Sequence, residues 1–220
     1  MSLWQVVTVG REYGSGGAAV GGAVAQALGY RLLDRALIER IAAAAQVDPS
    51  VAERLDEHVD GWVARINRAL RFGAFDSVAV DAGEAIVDGA RMQALTAAVI
   101  QEAAGEGRCV IVGRAAQCVL RGRPGVFNVF VYASRADRAR RLRSRLGPEV
   151  DVETLIDDKD RERAAYVRLH HGCDWVDRRL YHVMVNAALG EAAAVKIVLA
   201  ALEAGVQGLR LNPGNLRKEA

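Results

Sequence analysis

A glycine-rich stretch near the start of the chain has the composition of a phosphate-binding loop. Residues 6–20 read VVTVGREYGSGGAAV, in which a β-branched run suited to a buried strand leads into glycines and then into small apolar residues. The glycines free the backbone to turn its N–H groups inward, and the following helix presents its positive N-terminal end to the same place. We therefore expect an anion to bind at Gly14, Ser15, Gly16, Gly17 and Ala18.

The loop departs from the usual phosphate-loop signature, G-x-x-x-x-G-K-[ST], at the positions that carry its chemistry. With Gly16 as the second glycine, Arg11 stands at the first glycine and Gly17 at the lysine. Ala18 stands where a magnesium-binding Ser or Thr belongs, and Ser15 offers a hydroxyl that would touch phosphate or metal. Arg11 is the nearest substitute for the missing positive charge. The alternative is a glycine-rich turn that binds no ligand.

A second stretch, DDKDRERAAYVR at residues 157–168, clusters acidic and basic side chains at helical spacing. Asp157 and Arg161 lie four residues apart, as do Lys159 and Arg163, so each pair shares a helix face. The string alone is typical either of a solvated, salt-bridged helix or of a mobile lid that brings arginines over a transferring phosphoryl group. Its place between an arginine-rich helix and the last strand favours the lid.

The apolar pattern of the whole chain predicts an α/β fold with a mostly parallel sheet covered by helices on both faces. Strands are expected at 4–9, 30–33, 109–112, 126–132 and 181–186. Helices are expected at about 18–28, 36–45, 90–104, 135–146 and 189–203, besides the charged lid segment. Ligands collect at the carboxyl ends of such strands, where Asp34 and Arg114 stand.

Composition narrows the class of protein but not the ligand. The 220 residues, 51% hydrophobic and 25% charged, are within the range of one α/β domain with insertions. A net charge of +2 is too small to indicate a nucleic-acid surface. Because the chain has neither an apolar run of about 20 residues nor an N-terminal targeting pattern, we expect a cytoplasmic protein without a membrane span. Its three cysteines lack C-x-x-C spacing, so we expect buried thiols and no structural metal, and we assign no residue as a direct metal ligand.

Four segments resemble, in their order along the chain, the cytidylate kinase-like branch of the P-loop nucleoside monophosphate kinases. They are REYGSGG at 11–17, LLDRALIER at 32–40, IVGRAAQ at 111–117 and DDKDRER at 157–163. The resemblance spans about residues 6–202 and rests on the order of the motifs more than on any one of them. It implies a P-loop NTPase-type parallel sheet flanked by helices, with an inserted helical module that binds the nucleoside monophosphate and with a lid.

The resemblance also implies a domain layout. A single kinase-like domain would span residues 1–205, followed by a flexible tail at 206–220. The core would comprise about 1–35, 105–135 and 180–205, the monophosphate-binding insert about 36–104, and the lid about 136–179.

The chemistry that the resemblance implies is transfer of the γ-phosphoryl group of ATP, with Mg²⁺, to a nucleoside monophosphate such as CMP or dCMP. By position, the implied catalytic residues are Arg11, Arg161 and Arg163, and the implied acceptor-binding residues are Asp34, Arg40 and Arg114. Arg138 or Arg141 of the arginine-rich helix would reach ATP. The implied partners are small-molecule nucleotides rather than nucleic acid or membrane, and the oligomeric state is left open.

Two departures from the family pattern keep a second function open. True cytidylate kinases carry aspartates on either side of the glycine–arginine pair, where this chain has Val112 and Ala115. Asp34, Asp157 or Asp160 would then have to serve Mg²⁺ through water. The alternative is a non-catalytic nucleotide-binding module that senses ATP or a monophosphate through closure of its lid.

Overall fold

The structure is a computed structural model, and it describes residues 4–34, 37–38 and 84–211. Its backbone divides into two compact units, one of Met1–Leu32 with Arg108–Ala220 and one of Leu33–Gly107. The first unit contains the glycine-rich loop and almost all of the sheet. The candidate site is therefore described within this unit.

Five strands of the described chain form a parallel sheet, which confirms the predicted α/β class. They are β1 Val6–Arg11, β2 Arg31–Leu33, β3 Cys109–Val112, β4 Val126–Tyr132 and β5 Val183–Asn186. Their spatial order is β2-β3-β1-β4-β5. Since β1 pairs in parallel with both β3 and β4, the glycine-rich loop that follows it opens in the middle of the sheet's carboxyl edge.

Six helices accompany these strands in the described part of the chain. They are α1 Gly17–Leu28, α2 Glu84–Glu106, α3 Ala116–Val119, α4 Arg135–Leu146, α5 Val152–His171 and α6 Glu191–Leu211. Short 3₁₀ turns at Arg178–Leu180 and Ala187–Leu189 flank β5. None of the helices in the described ranges combines the length and apolar character that crossing a bilayer requires.

Alternate side chains of the strands enter two apolar layers, one on each face of the sheet. On one face, Val7 and Val9 of β1 pack with Val20 of α1 and Val198 of α6. On the other face, Phe130 of β4 belongs to a cluster with Val167, Cys173, Trp175 and Tyr181. Helices thus cover both faces, and the packing leaves the carboxyl edge of the strands to the loops.

Several element boundaries differ from those expected. β1 begins at Val6 rather than at residue 4 and continues to Arg11, because Gly10 and Arg11 pair in register with Phe130 and Val131 of β4. β5 begins at Val183 rather than at residue 181. α2 is longer than the expected 90–104 at both ends.

The last helix is longer than the sequence suggested. α6 continues through Leu211 instead of ending near residue 203, so residues 206–211 are helical. Residues 212–220 lie outside the described residues, as do Arg40 and most of the expected insert.

His182 makes a contact that depends on its neutral form. Its ring stacks on Phe127 with the centroids 4.9 Å apart, and its Nδ1 accepts a hydrogen bond from Asn128 N at 2.9 Å. Partial burial lowers the pKa of His182. The His182 ring of the folded protein therefore takes up a proton less readily than in the unfolded chain, where the pKa of histidine is about 6.5.

We expect the free energy of unfolding to fall as the pH is lowered from about 7.5 to about 5.5, because protonation of His182 favours the unfolded state. Burial also lowers the pKa of His171, which adds to the same slope. His182→Asn keeps an acceptor near the position of Nδ1 without a titrating ring, so it should flatten the slope in urea-unfolding curves. A slope equal to that of the wild type would contradict this role of His182.

Candidate functional site

The loop between β1 and α1 leads into an open helix end. Gly14 and Gly16 have φ angles of 77° and 86°, a left-handed conformation that residues with side chains rarely adopt. Gly16 precedes α1 without a side-chain cap, and the first turn contains no acidic residue. The N–H groups of that turn have no acceptor inside the helix, and Ala18 beside them is exposed. This end of α1 is suited to an anion.

Ser15 supports the loop from inside rather than facing a ligand. Its side chain is fully buried, and its hydroxyl has Glu12 O at 2.9 Å and Val131 O at 3.1 Å as acceptors. This corrects the expectation that the Ser15 hydroxyl touches phosphate or metal, because β4 occupies the side of the loop to which it points. The N–H of Ser15 is engaged as well, because it donates to Glu12 O at 3.3 Å.

Arg11 occupies the space that the lysine of the usual signature would need. A Cβ on Gly17 would lie 2.5 Å from the Cβ of Arg11, so the two positions cannot both carry side chains in this backbone. Farther out, the guanidinium of Arg11 covers Gly113, where a Cβ would collide with its Nη1. With Gly16 as the second glycine of the usual signature, Arg11 and Gly17 occupy the positions of its first glycine and its lysine. The positive charge extends from the loop to the end of β3.

The carboxyl end of β3 has a strained backbone. Gly113, Arg114 and Ala115 have φ angles of 83°, 53° and 54°, and a left-handed conformation costs a non-glycine residue roughly 1–2 kcal/mol. The charge of Arg114 acts on the phenol of Tyr166 in α5. Burial raises the pKa of the Tyr166 phenol, and the charge of Arg114 opposes that rise. Strain of this kind is concentrated at functional sites, and here it directs an arginine at the edge of the sheet.

Arg141 of α4 lies over the second glycine of the loop. A Cβ on Gly16 would lie 2.8 Å from Nη1 of Arg141, and the same Nη1 donates to Gly14 O at 3.1 Å. Leu142 packs against Gly14, where a Cβ would lie 2.9 Å from its Cδ1. The packing of Leu142 holds α4 against the loop and so fixes the position of Arg141.

Asp160 of α5 connects the lid segment with the loop. Its Oδ1 accepts hydrogen bonds from Tyr13 N at 2.8 Å and from Arg163 Nη1 at 2.9 Å, and its Oδ2 accepts from Arg138 Nη1. Arg138 Nη1 also donates to Tyr13 O at 3.3 Å, and Arg138 Nε lies 3.5 Å from Glu12 Oε2. The arginine-rich helix, the lid helix and the loop therefore meet at one carboxylate.

The two lid arginines differ in their surroundings. The side chain of Arg163 is 25% exposed, pairs with Asp160, and has its guanidinium 5.2 Å from the ring centroid of Trp175. The side chain of Arg161 is 75% exposed and pairs with Asp158 at 3.0 Å within its own helix. The structure thus links Arg163 to the loop through Asp160 and leaves Arg161 exposed on α5.

The other expected acceptor residues are outside this unit or outside the described residues. Asp34 follows β2, and its Oδ1 accepts a hydrogen bond from Leu37 N at 2.8 Å, the arrangement of a helix cap. Arg40 is not among the described residues. Of the three residues expected to bind an acceptor, Arg114 is the one described in the unit that holds the loop.

The carboxylates beside the loop are engaged by arginines. Glu12 and Asp160 both pair with Arg138, and Asp160 also pairs with Arg163. Within the described ranges, no three His, Cys, Asp or Glu side chains are grouped to hold a metal ion.

Sequence reasoning did not single out Glu12 or Tyr13. Glu12 Oε2 accepts a hydrogen bond from Ala133 N at 3.1 Å, so this carboxylate ties the loop to the segment after β4. Tyr13 contributes both its N–H and its C=O to the contacts with Asp160 and Arg138. The available signal was an acidic residue inside a loop that otherwise favours anions.

A family model described as the cytidylate kinase-like family matches residues 6–188. The matched range includes the glycine-rich loop, the carboxyl end of β3 and the lid segment, which confirms the resemblance noted in the sequence. A comparison with curated protein sequences gives no significant match.

Solved structures share the fold at low sequence identity. An uncharacterized protein from Eubacterium ventriosum ATCC 27560 has a TM-score of 0.65 and 17% identity, with 90% of this chain and 98% of that chain covered. A gluconokinase from Sinorhizobium meliloti 1021 has a TM-score of 0.55 and 19% identity, with 96% and 99% covered. A shikimate kinase from Bacteroides thetaiotaomicron has a TM-score of 0.50 and 16% identity, with 90% and 98% covered. These likenesses show the helix-flanked parallel sheet of such kinases.

Proposed function

Because the chain belongs to the cytidylate kinase-like family, we propose that it transfers the γ-phosphoryl group of ATP to a nucleoside monophosphate, with CMP or dCMP as the acceptor. Family membership supports a nucleotide-dependent phosphotransferase. The identity of the acceptor and the roles of individual residues are part of the proposal.

The observation that carries the proposal is the pair of arginines against the glycine-rich loop. Arg11 lies against Gly17, and Arg141 lies against Gly16 and donates to Gly14 O. Phosphoryl transfer to a phosphate oxygen needs little help from a base, so positioning and positive charge supply most of the catalysis. A loop of free amides with guanidinium groups beside it provides both.

The proposed role of each residue is either to position a substrate or to supply positive charge. The amides of Gly14, Gly16, Gly17 and Ala18 hold the β-phosphate of ATP, whereas that of Ser15 donates to Glu12 O. Arg11 supplies charge that the usual lysine would provide. Arg114, at the carboxyl end of β3, holds the phosphate of the acceptor. Arg163 acts from the lid on the γ-phosphoryl group, with a smaller contribution from the more exposed Arg161. Mg²⁺ bound with the triphosphate would neutralise part of its charge.

The test is an ATP-consumption assay with Mg²⁺ in which CMP, dCMP, UMP, AMP and GMP are offered separately, alongside calorimetric titration of ATP. Turnover that requires CMP or dCMP would support the proposal as stated. Turnover with UMP, AMP or GMP instead would keep the kinase proposal but change the identity of the acceptor. ATP binding without turnover on any of the five would overturn the kinase proposal.

One observation favours a second candidate, a nucleotide-binding sensor of the same fold. Val112 and Ala115 stand in place of the family's aspartates, and both Glu12 and Asp160 are engaged by arginines. A sensor would bind ATP or a monophosphate and close its lid without consuming ATP. The same assay and titration therefore separate the two functions.

The lid arginines should contribute unequally. Arg163→Ala is expected to lower kcat by about tenfold or more, because it removes a positive charge that Asp160 holds on the side of α5 that contacts the loop. Arg161→Ala is expected to change kcat by less than about threefold, because an exposed ion pair is worth little. Steady-state kinetics of both variants, with their thermal midpoints, would check this. Equal losses would contradict the distinction, and two fully active variants would contradict the lid role.

A further inference from the structure

Asp160 makes an unusual set of contacts for a helix surface residue. Its two oxygens accept hydrogen bonds from a loop amide, Tyr13 N, and from the guanidinium groups of Arg138 and Arg163. These three donors come from three parts of the chain that must come together over the loop. We propose that Asp160 is a positioning residue that holds Arg138 and Arg163 beside the glycine-rich loop in the orientation that receives a polyphosphate. The inference rests on the proposed nucleotide site.

The geometry fixes each arginine from more than one side. Arg138 is held by Asp160, by Tyr13 O at 3.3 Å and by Glu12, and its side chain is only 11% exposed. Arg163 is held between Asp160 and the ring of Trp175. An arginine has five N–H donors, and the hydrogen bonds to Asp160 use one nitrogen of each guanidinium.

Neutralising Asp160 should change the affinity for an anion in opposite directions under two accounts, one in which Asp160 acts only as a nearby charge and one in which it positions the arginines. A carboxylate close to an anion site repels the anion, so neutralising it should strengthen binding if charge were its only effect. If Asp160 positions the arginines, neutralising it should weaken binding, because the guanidinium groups lose their fixed orientation. The direction of the change in affinity therefore discriminates between the two accounts.

The chain offers a matched control on the same helix. Asp158 pairs with Arg161 across three residues of α5, as Asp160 pairs with Arg163. The Asp158 pair is exposed, whereas the side chain of Asp160 is only 19% exposed and contacts the loop. Asp158→Asn removes the same charge from the same helix without touching Tyr13 or Arg138.

The experiment is calorimetric titration of inorganic tripolyphosphate, and separately of ATP, into the full chain as wild type, Asp160→Asn and Asp158→Asn. We expect Asp160→Asn to bind both at least about fivefold more weakly and Asp158→Asn to stay within about twofold of the wild type. Asparagine keeps an oxygen that can accept from Tyr13 N, so the fold should persist, and the thermal midpoint checks that it does.

Equal or tighter binding by Asp160→Asn would overturn the proposal, as would a lowered thermal midpoint with unchanged affinity, which is the signature of a purely structural role. If that variant does not fold, Arg138→Lys tests the same contact from its partner. It keeps the charge but loses the fork of donors, so weaker binding supports the proposal and unchanged affinity overturns it.

The outcomes also separate this inference from the proposed function. Binding of ATP by the wild type without turnover on any monophosphate would reject the kinase proposal, while a weaker Asp160→Asn would still support the positioning role. Failure of the wild type to bind either tripolyphosphate or ATP would overturn both.

Discussion

Replacing Arg11 with methionine is expected to lower kcat by about a hundredfold, the loss typical of removing one fixed positive or hydrogen-bonding group from a charged transition state. Methionine keeps an unbranched stem over Gly17 but carries no charge to the end of β3, where the guanidinium now covers Gly113. Steady-state kinetics with ATP and the preferred monophosphate measures the loss. The thermal midpoint shows whether the variant is folded.

Two further variants sharpen the test of Arg11. Gly113→Ala leaves the charge in the chain but places a Cβ against Nη1 of Arg11, at a φ of 83°, so it should also reduce turnover.

The double variant Arg11→Gly, Gly17→Lys restores the usual signature at both positions and should recover part of the activity. Gly17→Lys alone should be destabilised by roughly 1–3 kcal/mol, because its Cβ meets that of Arg11. Full activity of Arg11→Met would reject the charge-replacement role.

Replacing Arg141 with methionine is expected to lower kcat/KM for ATP by about a hundredfold. Arg141 lies over Gly16 and donates to Gly14 O, so its guanidinium stands beside the free amides at the start of α1. Removing it takes away a charge that the β- and γ-phosphates would contact. Initial rates at varied ATP concentration, with the acceptor saturating, measure the effect.

Arg140 provides the matched control for Arg141. It is the preceding residue of the same helix, its side chain is 75% exposed, and it pairs with Asp137 within α4. Arg140→Met removes the same charge about 100° around the helix, so it should leave kcat/KM for ATP within about twofold. A similar loss in both variants would mean that the net charge of α4 matters and that the contact with the loop does not.

The local features of the loop could be predicted from sequence because they depend on neighbouring residues. A β-branched run, glycines and small apolar residues predict strand, turn and helix, and the structure has them in that order. α4 has the expected bounds because Ser134 accepts a hydrogen bond from Asp137 N at its start and Gly147 follows its end. These signals act over a few residues of the chain.

The tertiary contacts of the site could not be predicted in the same way. Ser15 points inward because Val131 of β4 accepts from its hydroxyl, and β4 is more than a hundred residues away in the chain. Residues 161 and 163 lie about 200° apart on a helix, so their spacing shows that they face different directions. Which of them meets the loop is decided by packing between α4 and α5, where Leu142 contacts Val152 and Ile156.

The left-handed turn at Gly113, Arg114 and Ala115 has a thermodynamic consequence for ligand affinity. The main chain of Arg114 is already ordered before any ligand arrives, so less conformational entropy is lost when a phosphate binds. The strain that orders it is present in every folded molecule, whether empty or bound. If Arg114 holds the acceptor phosphate as proposed, part of that affinity is therefore obtained by lowering the stability of the folded chain itself.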